Sequence, residues 1–446
     1  MEVVYDIAYL GAAAEYGGGC ETGVGRVCRN LLSGLQDRPE LSLTLSSFEH
    51  PYGGRIYARD HGLDRRLPAP SSAAAAALNW MLPALHRRWQ LGKPEIGHAP
   101  LPWKKRFRRG IWHRLARLPF PATNRRQLAA ADIFHSSHYP LPISPAIGPR
   151  PRRFLTICDV IPLLRPDLFA EGINRFFRRI AASVDAATWI IAISESTKRD
   201  VCSQLGLPAE QVFVAPLAAE ETIFHPCPDP AQLVAVRRRY GIGDSPYLLS
   251  LCTLEPRKNL TSLVRAFCYL VRQERIEDLS LVLIGAPGWM PERLEAALEA
   301  AGELRPRILL TGYVPDHELS PLYSGALAFA YLSEYEGFGL PPLEAMQCGV
   351  PVITSSTSSL PEVVGDAGLL CPPKDLAGQT DALRRIYREP ELRAEMIRRG
   401  LVRAAGFSWD RCVSCVVDAY TASMRQTRAT PPQRRHENLR VSTQPQ

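Results

Sequence analysis

The 446-residue chain is too long for one ordinary hydrophobic core, and its length predicts two α/β domains of about 200 residues each. Hydrophobic residues make up 46% of the chain and charged residues 22%, which excludes a largely disordered or fibrous protein. Residues 1–10 resemble a first strand rather than a signal peptide, and no apolar run approaches the roughly 18 residues that cross a bilayer. We therefore expect a cytoplasmic protein.

Short apolar runs alternate with helical patterns along the chain, which indicates an α/β fold of doubly wound parallel sheets covered on both faces. The second half of the chain repeats the pattern of the first, so we expect two domains of the same class. In the first half, strands are predicted at residues 3–8, 41–46, 132–135, 154–157, 189–193 and 212–215. In the second half, strands are predicted at residues 247–251, 279–284, 308–311, 327–331 and 352–354.

The pattern also predicts where the domains begin and end. We assign residues 1–215 to the first domain and residues 246–405 to the second. The stretch between them, 216–245, is broken by prolines and holds one short basic helix, which is typical of a linker. Residues 406–426 are expected to form a C-terminal helix that packs back toward the first domain. The tail, 427–446, is rich in Pro, Gln and Arg and is expected to be disordered.

The net charge of +8 is concentrated in an insertion predicted at about residues 71–130 of the first domain. Within it, residues 87–126 hold twelve Lys or Arg residues and a single acid, Glu95. Cations mixed with aromatic side chains suit an anionic lipid surface, so a peripheral contact with the inner membrane face is expected, although a nucleic acid or plain solvent would also fit. The aromatic residues of this segment are Trp89, Trp103, Phe107, Trp112 and Phe120.

Eleven cysteines are scattered along the chain, and several of them fall in apolar stretches. A small buried thiol packs well in such places, so we expect no disulfide framework. The pair Cys412-x-x-Cys415 has no second pair and no histidine partner, and it fits two positions on a helix better than a zinc site. We predict that the protein holds no metal.

The stretch Glu336-Gly-Phe-Gly-Leu-Pro-Pro-Leu-Glu344 follows a predicted buried strand. Pro341 and Pro342 suit the first turn of a helix, which would place Glu344 in that turn and Gly349 beyond the helix end. The glycines let the backbone approach a ligand, and the helix N-terminus offers N–H groups to a diphosphate. The two glutamates would then accept hydrogen bonds from sugar hydroxyls, although a helix-dipole partner and a loop charge fit the same pattern.

Two cations, Arg257 and Lys258, follow another predicted strand at the start of a helix, where Asn259 could act as the cap. Ligands of open α/β sheets bind at the carboxyl ends of strands, and fixed positive charge there could stabilise a departing diphosphate. Near the N-terminus, the glycine-rich loop 17–26 also follows a strand and precedes a helix. Its spacing fits neither the phosphate-binding loop nor the dinucleotide fingerprint, which argues against an NTPase and a dehydrogenase.

Four motifs together resemble glycosyltransferase family 4, and the resemblance covers residues 1 to about 425. It implies the GT-B fold, in which two Rossmann-like domains face each other, the first on the acceptor side and the second binding a nucleotide sugar. The motifs are Thr253-Leu-Glu-Pro-Arg-Lys-Asn-Leu, Thr311-Gly-Tyr-Val-Pro-Asp-His-Glu-Leu, the stretch from Glu336 to Glu344, and Ser358-Ser-Leu-Pro-Glu-Val-Val-Gly-Asp-Ala-Gly.

By this resemblance, Arg257 and Lys258 neutralise the donor diphosphate, Glu336 holds the transferred sugar and Glu344 holds the nucleotide ribose. Further donor contacts are implied in both domains. Those beside the base are Tyr313 and Val314, those that present backbone amides are Phe338, Gly339 and Leu340, and those from the first domain are Gly23 and Val24.

Thr156-Ile-Cys-Asp-Val-Ile-Pro162 resembles a family segment that often reads His-Asp, whose histidine lies near the reacting sugar carbon. Here Cys158 stands at the histidine position, and a thiol cannot reproduce the hydrogen bonding of an imidazole. Asp159 keeps a polar group there and is expected to be catalytic. His135 and His138 lie at another strand end and could serve nearby, although histidines in such places are more often structural.

The resemblance further implies a retaining, metal-independent enzyme. We expect no cofactor, because the nucleotide sugar is the donor substrate, and no nucleic-acid partner. The motifs look most like those of bacterial mannosyl- and rhamnosyltransferases of O-antigen or capsule assembly. GDP-mannose is the first expected donor, and UDP-glucose and dTDP-rhamnose remain open. Two alternatives are a non-catalytic GT-B module that binds a glycolipid or polyanion, and a nucleotide-sugar epimerase of similar fold.

Overall fold

The computed structural model describes residues 1–16, 23–68, 123–142, 144–288 and 292–426. The predictions for the basic segment, except its last four residues, and for the C-terminal tail lie outside these ranges. The described residues form two parallel six-stranded sheets covered by helices. The prediction of a two-domain, doubly wound α/β fold is therefore confirmed.

The first sheet has the strand order β2-β1-β3-β4-β5-β6, and every neighbouring pair is parallel. Its strands are β1 (Glu2–Asp6), β2 (Ser42–Ser46), β3 (Ile133–Ser137), β4 (Arg152–Ile157), β5 (Thr188–Ala192) and β6 (Val212–Val214). The described helices around it are α1 (Ala8–Tyr16), α2 (Gly23–Gln36), α3 (Pro51–Asp60), α4 (Arg125–Ala130), α5 (Ser144–Ile147), α6 (Ile161–Leu164), α7 (Glu171–Ser183) and α8 (Glu195–Leu205).

The second sheet has the order β12-β11-β10-β7-β8-β9, again with parallel neighbours. Its strands are β7 (Tyr247–Leu251), β8 (Ser280–Ile284), β9 (Ile308–Gly312), β10 (Ala328–Tyr331), β11 (Val352–Ser355) and β12 (Leu369–Cys371). The described helices of this half are α9 (Pro230–Arg239), α10 (Leu260–Glu274), α11 (Glu292–Ala300), α12 (Leu319–Ser324), α13 (Leu340–Gln347), α14 (Leu360–Val364), α15 (Leu376–Arg388), α16 (Pro390–Ala404) and α17 (Trp409–Arg425).

All eleven strands predicted from the sequence are present, and their ends differ from the predicted ones by no more than two residues. Strands such as β5 and β10 are buried along their whole length because helices cover both faces, which is why they appear as continuous apolar runs in the sequence. The sequence did not reveal β12, which has three residues and is followed directly by two prolines. A run this short carries too little periodicity to be recognised.

The last helix, α17, returns from the second half of the chain to the first sheet. The hydroxyl of Tyr420 lies 2.5 Å from Nδ1 of His135 on β3. Nη2 of Arg38, just after α2, donates to the carbonyl oxygen of Asp410 at 2.8 Å. The chain therefore crosses between the two domains twice. Within the described residues, no helix has the length and apolar character needed to cross a bilayer.

The order of the second sheet creates a crevice at its centre. The chain enters at β7, adds β8 and β9 on one side, and then returns to add β10, β11 and β12 on the other. The connections that follow β7 and β10 consequently diverge at the carboxyl ends of adjacent strands, and the opening between them is the usual ligand position in such sheets.

Candidate functional site

A cleft of about 560 Å³ lies between the two domains, over the carboxyl ends of β7 and β10. Side chains and backbone from both halves of the chain line it. The structure thus brings together residues that are far apart in the sequence. The predicted site residues that line this cleft are Gly23, Val24, Asp159, Arg257, Lys258, Glu336, Phe338, Gly339 and Leu340.

The centre of the cleft is a buried carboxylate held by two cations. Nη1 of Arg257 lies 2.8 Å from Oε2 of Glu336, and Nζ of Lys258 lies 2.7 Å from Oε1. The Tyr331 hydroxyl, at the end of β10, donates to the same Oε1 at 2.9 Å. The cations come from a 3₁₀ turn after β7 and the carboxylate from the loop after β10, so the switch in strand order brings them into contact.

The charges in this cluster are stabilised mutually. Burial alone would raise the pKa of Glu336, but Arg257 and Lys258 outweigh it and lower the pKa to about 2. Conversely, burial would lower the pKa of Arg257, and the carboxylates of Glu336 and Glu255 raise it instead. The carboxylate and the guanidinium therefore stay ionised throughout the physiological pH range.

Glu255 is a member of this cluster that the sequence analysis did not assign. Its Oε1 accepts a hydrogen bond from Nη2 of Arg257 at 2.6 Å, and the side chain is buried. Nε of Arg257 is also buried and has no hydrogen-bond partner within the described part of the chain. In the sequence, the only indication of this role was that Glu255 lies two residues before Arg257 in the same motif. An acid near the start of a helix is usually a partner of the helix dipole, so the position alone did not indicate a site residue.

Asn259 does not cap α10 as expected. A side-chain cap normally has an extended backbone, whereas Asn259 is left-handed with φ of 54°. Its Nδ2 donates instead to the carbonyl oxygens of Leu332 at 3.1 Å and Pro373 at 2.7 Å. Asn259 therefore ties the end of β7 to the loops that follow β10 and β12, and so supports the geometry of the cation pair.

The loop 336–339 is fixed by two serines from the motif that follows β11. Ser358 Oγ accepts a hydrogen bond from the N–H of Glu336 at 2.9 Å. Ser359 Oγ lies 2.9 Å from the carbonyl oxygen of Glu336 and 2.6 Å from that of Phe338. Gly339 then turns the chain into α13 with φ of 121°, a conformation that favours glycine. The N-terminus of α13 consequently opens toward the cleft.

Glu344 lies slightly further along α13 than predicted. The helix begins at Leu340, and Pro341 and Pro342 are in its first turn as expected, but Glu344 is the fifth helical residue and belongs to the second turn. The turn made by Gly339 starts the helix one residue before the prolines. Glu344 is buried and is not among the residues that line the cleft.

Glu344 is held by one residue from each domain. The Tyr323 hydroxyl on α12 donates to Oε2 at 3.0 Å, and Nη1 of Arg26 on α2 donates to Oε1 at 3.3 Å. Burial raises the pKa of Glu344 to about 7, although Arg26 opposes the shift. Arg26 also forms a salt bridge with Asp316. The sequence analysis missed Arg26, and the only signal was its position at the end of the glycine-rich loop.

Tyr313 and Val314 follow β9 and are not among the cleft-lining residues. Val314 is buried, whereas 61% of the Tyr313 surface is exposed. Asp316, two residues later, contacts Arg26 and so lies on the Glu344 side of the cleft. The role of Tyr313 and Val314 beside a base stays a prediction.

The two histidines considered as site residues do not line the cleft. His135 is buried between the Tyr420 hydroxyl and the Thr156 hydroxyl, at 2.5 Å and 2.8 Å, and burial lowers its pKa to about 3. His138 Nδ1 accepts a hydrogen bond from the N–H of Cys158 at 3.2 Å, and burial lowers its pKa as well. Both are neutral structural residues of the first sheet.

Asp159 and Cys158 do reach the cleft. Oδ1 of Asp159 accepts a hydrogen bond from the N–H of Ile161 at 3.0 Å, which fixes the carboxylate at the start of α6. Burial raises the pKa of the Cys158 thiol, so it remains neutral. Of these two side chains, only Asp159 offers a charge to a ligand.

The first domain touches the second at Gly337. Oγ of Ser194 donates to the carbonyl oxygen of Gly337 at 2.6 Å, and Oγ1 of Thr197 donates to it at 3.1 Å. A Cβ atom on Gly337 would lie only 2.2 Å from the carbonyl oxygen of Cys158. The contact therefore requires glycine and sets the distance between the loop 336–339 and Asp159.

A second contact between the domains lies at the N-terminus of α8. The carboxylate oxygens of Glu362 accept hydrogen bonds from the N–H groups of Glu195 and Ser196, both at 2.8 Å. These N–H groups have no acceptor within their own helix, and a carboxylate is favoured at the positive end of the helix dipole. Glu362 and Ser359 lie in one motif, so the segment that fixes the loop 336–339 also holds the first domain.

The arrangement suits a ligand that carries both a diphosphate and hydroxyl groups. Two cations and the backbone N–H groups that precede the prolines of α13 can bind phosphate oxygens, and the Glu336 carboxylate can accept hydrogen bonds from hydroxyls. Among the described residues, no cluster of three His, Cys, Asp or Glu side chains has the geometry of a metal site.

Comparison with known proteins gives a consistent result. Residues 235–403 match the family model described as Glycosyl transferases group 1. The O-antigen chain mannosyltransferase B of Escherichia coli is 33% identical over 289 residues, which are 65% of this chain and 74% of that protein. The serotype-specific mannosyltransferase WbdA of Escherichia coli is 30% identical over 286 residues, 63% of this chain but only 35% of WbdA.

Among solved structures, Alr3699/HepE of Anabaena in complex with UDP and glucose superposes with a TM-score of 0.61. The match covers 95% of this chain and 100% of that one at 15% identity. At this identity the likeness concerns the fold alone, and the fold of both is the pair of facing domains described above.

Proposed function

Because the chain belongs to the group 1 glycosyl transferases and is therefore a glycosyltransferase, we propose that it transfers mannose from GDP-mannose to a glycan or lipid-linked glycan during synthesis of a cell-surface polysaccharide. The observation that carries this proposal is the ionised Glu336 held by Arg257 and Lys258 in the cleft between the domains. The names of the two mannosyltransferases of Escherichia coli support mannose as the sugar.

The cation pair gives the cleft its chemistry. In the proposed reaction, the bond between the anomeric carbon and the diphosphate oxygen breaks, and Arg257 and Lys258 stabilise the negative charge that grows on the diphosphate. The acceptor hydroxyl oxygen bonds to the same carbon on the face that the diphosphate leaves, and its proton passes to the departing diphosphate. The anomeric configuration is thereby retained.

Positioning of the two reacting groups supplies the remaining catalysis. Glu336 accepts hydrogen bonds from hydroxyls of the transferred sugar, and its low pKa keeps it an acceptor at any working pH. Asp159 faces the cleft from the first domain and orients the acceptor hydroxyl. The proposal thus divides the work: the second domain holds the donor and the first presents the acceptor.

We also propose that the reaction needs no metal ion. The guanidinium of Arg257 and the ammonium of Lys258 supply positive charge where a divalent ion would otherwise neutralise the diphosphate. Transfer is therefore expected to be unchanged in EDTA. Loss of transfer on chelation that Mg²⁺ or Mn²⁺ restores would contradict the proposal.

The donor is tested by calorimetry and transfer assays with GDP-mannose, UDP-glucose and dTDP-rhamnose. We expect the tightest binding and the fastest transfer with GDP-mannose. A preference for either of the other two donors would change the proposed donor but not the assignment of the protein as a glycosyltransferase. Interconversion of the donor without any acceptor would point to an epimerase, and glycolipid binding without turnover of any donor would point to a non-catalytic module.

The basic segment, residues 87–126, is proposed to dock the first domain on an anionic membrane surface, a proposal that rests on its sequence alone. Sedimentation with anionic and neutral liposomes tests it. We expect recovery on anionic liposomes that salt weakens only in part, because salt does not screen aromatic insertion. Equal recovery on both liposomes would contradict it, as would no effect of replacing the five cations Lys104, Lys105, Arg106, Arg108 and Arg109 by Ser.

A further inference from the structure

Arg26 belongs to the first domain but contacts two carboxylates of the second. We propose that Arg26 positions Glu344 for the donor ribose and thereby makes nucleotide binding depend on closure of the two domains. This inference rests on the proposed function, because it takes Glu344 to be the ribose contact of a nucleotide-sugar donor. Arg26 itself is a positioning residue, since it acts through the carboxylate.

The geometry around Arg26 leaves the side chain little freedom. Nη1 lies 3.3 Å from Oε1 of Glu344, and Nη2 is paired with Asp316. The guanidinium carbon lies 5.9 Å from the centre of the Phe224 ring. Only 15% of the side chain is exposed, and its Nε is buried with no hydrogen-bond partner within the described part of the chain. The guanidinium is thus fixed between the two carboxylates.

Within the described residues, Tyr323 and Arg26 are the only side chains that donate hydrogen bonds to the buried Glu344 carboxylate. A carboxylate has about four lone-pair directions. Tyr323 occupies one on Oε2 and Arg26 occupies one on Oε1, so each oxygen keeps one direction for a further donor. The two hydroxyls of a ribose are such donors. Arg26 and Tyr323 together therefore orient the carboxylate for a ribose.

Arg26 also affects the charge of Glu344. Burial raises the pKa of Glu344 to about 7, and Arg26 is the main group that opposes the rise. Asp316 and Glu220 add to the rise, and the neighbouring groups that can ionise are the Tyr323 hydroxyl and the Cys348 thiol. An ionised carboxylate accepts strongly on both oxygens, whereas protonation turns one of them into a donor. Separation of the domains would remove Arg26, the neighbour that most favours the ionised form of Glu344, which links ribose binding to closure.

The experiment compares Arg26→Ala with Arg26→Lys, and with Arg29→Ala as a matched control. Arg29 lies one turn further along α2 and contacts Glu220 of the linker region at 3.4 Å, so its removal also takes one cation from the same helix. Calorimetry measures the affinity for whichever of GDP, UDP and dTDP the wild type binds most tightly, and for the 2′,3′-dideoxy form of that nucleotide.

At pH 7 we expect Arg26→Ala to weaken binding of the complete nucleotide about tenfold and that of the dideoxy form hardly at all. Because Glu344 ionises at higher pH, the loss should shrink between pH 7 and pH 9. Arg26→Lys should keep part of the preference for the complete nucleotide, and Arg29→Ala should behave as the wild type. Glu344→Gln should lose the preference at every pH.

The outcomes separate this inference from the proposed function. A wild type that binds none of the three nucleotides would overturn the proposed function and the inference with it. Two results would overturn only the inference. In the first, Arg26→Ala binds the nucleotide and keeps the wild-type preference for the complete form over the dideoxy form. In the second, Arg26→Ala loses affinity for both forms equally at every pH. If Arg26→Ala does not fold, Arg26→Gln and Glu344→Gln provide the same comparison, and wild-type preference in either variant would overturn the inference.

Discussion

The two glutamates at the ends of the 336–344 stretch are both buried, but the structure shifts their pKa values in opposite directions. Glu336 contacts two cations, both on the loop after β7 of its own domain, and its pKa falls to about 2. Glu344 contacts one arginine, which comes from the other domain, and its pKa rises to about 7. Burial raises the pKa of both glutamates, so the number and origin of the cations account for the opposite outcomes.

The comparison shows that one short stretch combines a permanent charge with a conditional one. The cations around Glu336 are fixed by the fold of the second domain, and its charge is present whatever the first domain does. By the inference above, the charge of Glu344 depends on Arg26 and hence on the contact between the domains. In such a cleft, the charge at the Glu336 end is fixed, whereas the charge at the Glu344 end changes when the domains close.

The largest expected effect comes from removing one of the two cations that hold Glu336. In the proposed reaction, Arg257→Ala or Lys258→Ala removes a cation that stabilises the departing diphosphate, and each should lower kcat by about a hundredfold, equivalent to about 3 kcal/mol of transition-state stabilisation. Steady-state transfer assays measure this. Arg265→Ala is the control, because Arg265 is an exposed cation of α10, close to the same loop. Near wild-type kcat in both variants would exclude the assigned role.

A smaller loss should follow when the contact between the domains is displaced. In Gly337→Ala, the new Cβ would meet the carbonyl oxygen of Cys158 at 2.2 Å, so the domains must move apart. Because a displacement of this size misaligns donor and acceptor, we expect a loss of about 30-fold in kcat/KM. Solution scattering of the variant should show a more open molecule.

The matched control is Gly172→Ala on α7, where a new Cβ would have no neighbour within 4 Å. A helical Gly→Ala change of this kind favours folding slightly, and transfer should be unchanged. If Gly337→Ala retained full activity, domain contact at this loop would not control the catalytic geometry.

Local sequence patterns predicted the parts of this site that lie within one supersecondary unit. Arg257 and Lys258 follow one buried strand and Glu336 follows another, and the rule that ligands bind at the carboxyl ends of strands predicted that they lie together. The continuous apolar runs likewise predicted eleven of the strands, since strands covered on both faces leave that pattern in the sequence.

Contacts between distant segments could not be predicted in this way. Arg26 and Glu344 are 318 positions apart, and their pairing depends on how two separately folded domains face each other. The same holds for His135, whose partner Tyr420 comes from the returning helix α17. The local pattern of a buried histidine is identical to that of a site histidine. Sequence reasoning therefore left its role open, and the structure shows it to be a packing residue.

A third test of the comparison removes hydrogen bonds between the domains but introduces no group that would push the domains apart. Ser194→Ala with Thr197→Val removes both hydroxyls that donate to the carbonyl oxygen of Gly337, at 2.6 Å and 3.1 Å. The domains would still fit together but close less firmly, and we expect about a tenfold loss in kcat/KM. Steady-state assays at low donor concentration measure it.

Ser194 also caps α8 through the N–H of Thr197, so part of the effect could come from lost helix stability. Asp375→Ala controls for this, because Asp375 caps α15 through the N–H of Gly378 inside the second domain and is not among the cleft-lining residues. A loss of activity in the control as large as in the double variant would assign the effect to stability instead of closure.

The smallest expected effect is the pH dependence that distinguishes the two glutamates in the unmodified protein. Glu344 has a raised pKa of about 7 and is therefore mostly protonated at pH 6 and mostly ionised at pH 8, whereas Glu336, with a pKa of about 2, is ionised at both. If Glu344 binds the donor ribose, the donor KM should fall about fivefold from pH 6 to pH 8. In Glu344→Gln the KM should stay high and flat over this range. If instead kcat changed with pH while the donor KM stayed constant, a group that takes part in the chemical step would have to titrate near neutrality, and the division into a permanent and a conditional charge would be wrong.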